Sequence, residues 1–305
     1  MRILVSGSTG FLGTAVVETL KGQGHSIARL VRPGTTHKSP SGVHAETVPW
    51  DPVAGKFDAA GAEGAEALIH LAGASIAGGR WNASRKALLR TSRIDATRHL
   101  VGALAKLQRP PRVIVAASAI GYYGNRGDET LTEISATGND FLAALCTEWE
   151  AESARGAQFG ARVVNLRSGI ILAAHGGALP RMALPFKLGA GGRLGGGRQW
   201  MSWLTLQEAV NIIQFALTSS ALTGPVNAVT PNPVRNSDFT TILAKTLHRP
   251  ALFPAPAFAL RLALGEMADA LLLISQRVMP SKLAESGYSF LQPNLANALR
   301  EVFRK

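Results

Sequence analysis

The chain opens RILVSGSTGFLGTAVVETLKGQG over residues 2–24, and no other stretch constrains its fold as strongly. RILVS (2–6) is a short apolar run rich in β-branched residues, which reads as a buried strand. From Phe11 onward the pattern is helical and stops at glycine. Gly7, Gly10 and Gly13 lie at the junction, spaced G-x-x-G-x-x-G. Glycine there permits a tight turn and close backbone approach to a pyrophosphate, while the helix N-terminus offers N–H groups and partial positive charge. Gly7, Ser8, Thr9, Gly10, Phe11, Leu12 and Gly13 are therefore predicted to cradle a dinucleotide; the alternative is a plain glycine-rich turn.

The alternation continues. SIARLVR (26–32), ETVPW (46–50), ALIHLAG (67–73), PRVIVAAS (111–118) and ARVVNLRSG (161–169) read as strands. Helical apolar spacing runs from Trp81 to Leu107 and again over 138–158. Strand–helix alternation with right-handed crossovers predicts an α/β fold of Rossmann type, a doubly wound parallel sheet. Beyond about residue 170 the pattern loosens into a smaller C-terminal substrate lobe. GAGGRLGGGRQWMSW (189–203) reads as a mobile glycine-rich loop, LQEAVNIIQFAL (206–217) and SDFTTILAKTL (237–247) as helices, and PVNAV (225–229) as a strand. The expected division is 1–170 for the dinucleotide-binding domain, with later segments returning to it, and 171–305 for the lobe, including a helical unit over 245–305.

The end of the second strand discriminates between dinucleotides. A NAD site usually places an acid there to hold the ribose diol. This chain has Leu30, Val31 and Arg32, and a guanidinium suits the 2′-phosphate of NADP. Arg29 is a candidate helper, although its strand parity is opposite to that of Arg32; the alternative for Arg32 is a solvated strand end. Asp51, just past the third strand, is either an acceptor for the adenine amino group or a turn residue.

Composition sets further bounds. Hydrophobic residues make up 46% and charged residues 17% of 305, enough for a large core. Net charge is +12, but the cations are scattered with few aromatics among them, so no nucleic-acid partner is expected; an anionic cofactor or substrate accounts for part of the excess. Arg261, Glu266 and Asp269 interrupt the greasiest region, 251–274, which falls short of the roughly 20 apolar residues of a membrane span. A lone cysteine, Cys146, fits a reducing compartment, and a cytoplasmic location is expected. The seven histidines show no metal-ligand spacing.

GSTGFLG, HLAGAS and SAIGYYG together resemble the extended short-chain dehydrogenase/reductase superfamily. HLAGASIAGGRWNASRKALLRTSRIDATRHL, ASAIGYYGNRGDE, FLAALCTEWE and LRSGIIL are more specifically similar to its atypical, NAD(P)-dependent epimerase-family oxidoreductase branch. From about residue 245 the chain resembles the small domain of unknown function that ends members of this branch. The resemblance implies that Leu71, Ala72 and Gly73 also line the cofactor. In the superfamily a Ser and a Tyr bind the reacting oxygen, a Lys assists the Tyr, and an Asn completes a proton relay. Ser118 matches the Ser within one position, and Arg93 falls at the Asn position. Leu142 and Cys146 stand where the Tyr and Lys would be.

The usual acid is thus missing. Tyr122 and Tyr123 follow Ser118 at the edge of the sheet where ligands bind, and a phenol assisted by Arg93 is a usable acid; the alternative is packing. Cys146 has acidic neighbours that raise a thiol pKa, so it reads as a buried wall residue beside the cofactor. Glu150 is either an acid–base group or half of an ion pair. Two functions follow as expectations: an NADP(H)-dependent oxidoreductase or epimerase acting on a sugar-like or carbonyl-bearing small molecule, or an NADP-binding regulator with little turnover. Substrate identity and homo-oligomer formation are open at this point.

Overall fold

The computed structural model describes residues 1–34 and 45–304. The first part of the chain runs β1 (Arg2–Ser6), α1 (Phe11–Gly22), β2 (Ser26–Val31), β3 (Glu46–Pro49), α2 (Ala59–Ala62) and β4 (Ala67–His70). Next come α3 (Ala83–Arg90), α4 (Ala96–Leu104), β5 (Val113–Ala119), β6 (Thr130–Leu131), α5 (Phe141–Ala154) and β7 (Arg162–Ser168). A π turn, Thr91–Asp95, joins α3 to α4, and a 3₁₀ turn, Ile120–Tyr123, follows β5. The later part is β8 (Ile170–Leu172), α6 (Leu179–Lys187), β9 (Trp200–Met201), β10 (Trp203–Thr205), α7 (Leu206–Thr218), β11 (Gly224–Ala228), β12 (Val234–Arg235) and α8 (Asn236–Leu247). The chain ends with α9 (Ala257–Leu264), α10 (Glu266–Leu271), β13 (Arg277–Val278), α11 (Ser281–Glu285) and α12 (Leu295–Val302).

Seven strands form one parallel sheet in the order β11-β7-β5-β4-β1-β2-β3. The chain winds outward from β1 in one direction, then in the other, which is the doubly wound Rossmann arrangement. Strand parity decides what each side chain meets. Ile3, Val5, Ile69 and Val115 face Val16, Val17 and Leu20 of α1 and Val210 and Ile213 of α7. Leu4, Leu68, Ile114 and Ala116 face Ala96, Leu100 and Leu104 of α4. Both faces are covered, which is why these strands read as continuous apolar runs. Each buried Val, Leu or Ile among them stabilises the fold by about 1.5–3 kcal/mol relative to exposure.

A second core gathers the smaller lobe, with Leu179, Phe186, Trp203, Phe239, Leu243 and Leu299 in mutual contact. The stretch 189–203, expected as a mobile loop, has a different physical basis. Its end forms β9 and the start of β10, and Gly195 N donates to Ala255 O at 2.8 Å. A Cβ on Gly192 would lie 2.0 Å from Phe253 O, so glycine there admits a neighbouring backbone. The C-terminal segment then returns to the first half. β13 pairs in parallel with β6, Gln276 Nε2 donates to Ile120 O at 2.8 Å, and Ser275 N donates to Asn125 Oδ1 at 3.1 Å.

Candidate dinucleotide site and active-site turn

The glycine turn sits at the carboxyl end of β1. Gly7 has φ +66°, a left-handed conformation that favours glycine, and a Cβ there would lie 2.7 Å from the Leu71 backbone. A Cβ on Gly13 would lie 2.1 Å from Gly7 O. Gly10 is the N-cap of α1; it provides no side-chain cap, and the first turn of α1 has no acid. The helix end is therefore open to an anion.

Arg29 lies beneath this turn. It is 4% exposed, its Nε donates to Ser8 Oγ at 3.1 Å, and its Nη2 is enclosed without a hydrogen-bond partner. An enclosed cationic nitrogen beside the turn fits a phosphate-bearing group. Sequence parity ranks Arg29 as a helper behind Arg32, and Arg29 is the residue that touches the glycine turn. Arg32 stands exposed at the strand end, near enough to Asp51 to lower its pKa. The larger cause is local: Asp51 Oδ1 accepts from Ala54 N (3.0 Å) and Val53 N (2.9 Å), which makes Asp51 a turn residue.

A buried chain of hydrogen bonds ties Leu71 and Ala72 to this turn. Ser6 Oγ accepts from Leu71 N (3.1 Å) and Ala72 N (3.3 Å), so its own proton goes to His70 Nδ1, 2.6 Å away. His70 then carries its proton on Nε2 and donates to Thr97 Oγ1 at 2.9 Å, which also accepts from Trp149 Nε1 at 3.0 Å. Burial holds the imidazole down to about 4, so it is neutral. Gly73 follows, and a Cβ on it would lie 3.3 Å from the Arg93 guanidinium carbon.

At the carboxyl end of β5 the sequence candidates separate. Ser118 donates to Glu150 Oε1 at 2.6 Å. Glu150 also forms a two-pronged pair with Arg167, Nε and Nη2 both at 2.8 Å, with side chains 11% and 3% exposed. Glu150 is thus an ion-pair residue. Burial opposes the charge on Arg167, but the hydrogen bonds and charge of Glu150 hold its pKa above the ordinary value. Arg167 Nη1 donates to Tyr123 OH at 3.1 Å, and Tyr123 OH donates to Asn227 Oδ1 at 2.6 Å.

Tyr123 is fully buried, and burial pushes its phenol up to about 12. This corrects its reading as a catalytic acid: its proton is committed inside the core. Arg93 also departs from expectation. Its Nη2 donates to Ala74 O at 3.0 Å and it stacks 5.2 Å from the Trp149 ring, so it shapes the Gly73–Ala74 turn. The cation at the tyrosines is Arg167, whose guanidinium lies 3.4 Å from the Tyr122 ring centre. Tyr122 is half-buried, and its hydroxyl has no hydrogen-bond partner among the described residues. Cys146 is 3% exposed; burial first, and Glu150 second, push its thiol up to about 12. Leu142 and Cys146 both pack against Gly121 in the turn that carries Tyr122. No group of three or more metal-ligating side chains occurs among the described residues.

Comparison with known proteins decides the family. The sequence pattern of the NAD dependent epimerase/dehydratase family matches residues 3–228. The chain belongs to this family. Residues 255–302 match a domain of unknown function, DUF1731. The chain is 36% identical to the epimerase family protein YfhF of Bacillus subtilis, over 99% of this chain and 98% of that one. It is 35% identical to the chloroplastic SDR39U1 homolog of Arabidopsis thaliana, over 100% and 87%. Among solved structures, human epimerase family protein SDR39U1 (isoform 2) with NADPH superposes with a TM-score of 0.89 at 31% identity, covering 99% of each chain. A UDP-galactose 4-epimerase structure superposes at 0.73 with 17% identity, a likeness of fold. No helix among the described residues is long and apolar enough to cross a membrane.

Proposed function

We propose that this epimerase-family protein is an NADP(H)-dependent oxidoreductase or epimerase acting on a carbonyl-bearing or sugar-like small molecule. The carrying observation is the glycine turn. It joins an uncapped helix N-terminus to an enclosed, unpartnered guanidinium nitrogen of Arg29, with Arg32 beyond it. The NADPH in the human relative's structure supports the same cofactor here. Gly7 to Gly13 would hold the pyrophosphate, and Arg29 and Arg32 the 2′-phosphate. The nicotinamide would supply or accept a hydride when bound. Tyr122 is the proton donor of choice, because its hydroxyl is uncommitted and its ring is held by Arg167. Leu142 and Cys146 wall the turn, and neither is a useful proton donor at neutral pH: Leu142 has no ionisable group, and burial pushes the Cys146 thiol up to about 12, so it holds its proton. The lone buried cysteine supports action in a reducing compartment such as the cytoplasm.

Absence of the usual Tyr–Lys pair favours a second reading, an NADP-binding regulator with little turnover. Two measurements test the proposal. NADPH is expected to bind more tightly than NADH, and Arg32→Ala to remove about 1.5–3 kcal/mol of NADPH affinity. Equal affinity of the wild type for both cofactors rejects the phosphate assignment. A panel of carbonyl compounds should include one that drives NADPH consumption; binding without any substrate-dependent consumption supports the regulator.

A further inference from the structure

Helix α9 turns apolar side chains outward. None of its residues is buried, although Arg261 is its only polar position. Phe258 and Leu262 are four apart, hence on one side of the helix, and are 73% and 78% exposed. Leu252 and Phe253, in the proline-flanked approach to α9, are exposed too. The end of α6 adds Leu184 and Leu188, again four apart and both exposed. The two segments join just beyond these residues: Phe253 N donates to Gly191 O at 3.1 Å, and Leu194 bridges Ala255. Large apolar side chains scattered singly on a surface need no explanation, but six on two joined segments do.

The charge around them is one-sided. Residues 176–265 hold eight Lys and Arg against two acids, so these 90 residues carry +6 of the chain's +12. Of the acids, Glu208 is buried and bonded to Tyr288, which leaves Asp238 exposed. The next two, Glu266 and Asp269, are matched by Lys86 at 2.6 Å and Arg261 at 2.9 Å. Lys187 adjoins Leu188, Arg193 follows Gly191 by two residues, and Arg249 precedes Leu252 by three. All three cations are exposed, and none pairs with a carboxylate among the described residues.

Apolar side chains ringed by unpaired cations select a partner. A second copy meeting at a two-fold axis would set the patch against itself, so the cations of both copies would face one another. An anionic bilayer offers apolar depth for Phe and Leu, and negative charge at the level of the flanking Lys and Arg. Arg261, Glu266 and Asp269 rule out a span over 251–274, but a helix lying in the interface needs only one apolar side.

We propose that the face formed by the end of α6 and by residues 252–262 attaches the protein to the surface of anionic lipid membranes. Phe253, Phe258 and Leu262 enter the headgroup boundary, and Lys187, Arg193 and Arg249 engage lipid phosphates. The attachment does not depend on the cofactor reading. The test is flotation of the full-length protein with vesicles of phosphatidylcholine alone, or of equal parts phosphatidylcholine and phosphatidylglycerol. The wild type is expected to float with the anionic vesicles and to stay behind with the neutral ones. Phe258→Ser/Leu262→Ser should lower that partitioning roughly tenfold or more, because two inserted apolar side chains are lost. Lys187→Gln/Arg249→Gln should also lower it roughly tenfold or more, two charges having left the surface. Both variants alter exposed side chains, so circular dichroism and NADPH affinity should match the wild type. Arg112→Gln, which removes an exposed cation at the amino edge of the sheet, should change nothing. No flotation of the wild type with anionic vesicles overturns the proposal. Flotation that survives Phe258→Ser/Leu262→Ser, or that falls equally with Arg112→Gln, would reflect net charge alone and overturns it too. Sedimentation velocity without vesicles reads the other occupant: a wild-type dimer that Phe258→Ser/Leu262→Ser breaks would make this face a contact between two copies and reject membrane attachment.

Discussion

The glycines of the N-terminal turn exclude side chains for different reasons, and the difference can be measured. Gly13 abuts Gly7 O, so Gly13→Ala forces two backbones apart. Thermal unfolding of Gly13→Ala should show clear destabilisation before any ligand is added. Gly10 has φ −75° and ψ 170°, which any residue adopts, and its nearest atom lies 3.2 Å from a built Cβ. Gly10→Val should therefore keep the circular dichroism of the wild type but lose NADPH binding; calorimetry showing normal binding would move the pyrophosphate elsewhere. The tyrosines separate in the same way. Tyr122→Phe should lower turnover roughly 10²-fold, whereas Cys146→Ala should retain most of it, and the reverse pattern would make the thiol the reactive group. Tyr123→Phe deletes a hydroxyl bonded to Asn227 and Arg167, so its effect belongs to stability. The doubled tyrosine was visible in the sequence. Which of the two faces inward was not, because Asn227 and Arg167 lie about a hundred and about forty residues downstream.

Elements with long apolar runs were legible at this level, and the shortest were not. β1, β5 and β7 are buried on both faces, so composition alone exposes them. β6, β9, β12 and β13 have two residues each, too few for any periodicity to register. The helical spacing from Trp81 to Leu107 concealed the π turn, whose extra residue re-aims Arg93 toward Ala74. Helix α5 carries Leu142, Cys146 and Glu150, and Asp140 starts it by accepting from Ala143 N at 2.9 Å. Asp140→Ala should cost about 1 kcal/mol, measured by urea unfolding. An unchanged midpoint would show that packing on Gly121, not the cap, sets where the helix begins.

For the whole molecule, His70 links stability to pH. Its native pKa of about 4 lies below the ordinary 6.5, so the unfolded chain takes up this proton first as pH falls. The contribution is complete above about pH 6.5 and is lost progressively toward pH 4, by up to about 3 kcal/mol. An NMR titration in which the His70 ring shifts near pH 6.5 would contradict this, as would a stability that is flat between pH 7 and 5. The closure of the C-terminal segment onto the β5 turn has a consequence for biosynthesis. Residues 275–278 bond to Ile120, Asn125 and β6, about 150 positions earlier in the chain. Contacts so distant form slowly, because a long loop must close first. On the ribosome the sheet can assemble while the Tyr122 turn still awaits its cover, so a nascent chain arrested before residue 275 would be folded at its nucleotide end and unfinished at its reactive one.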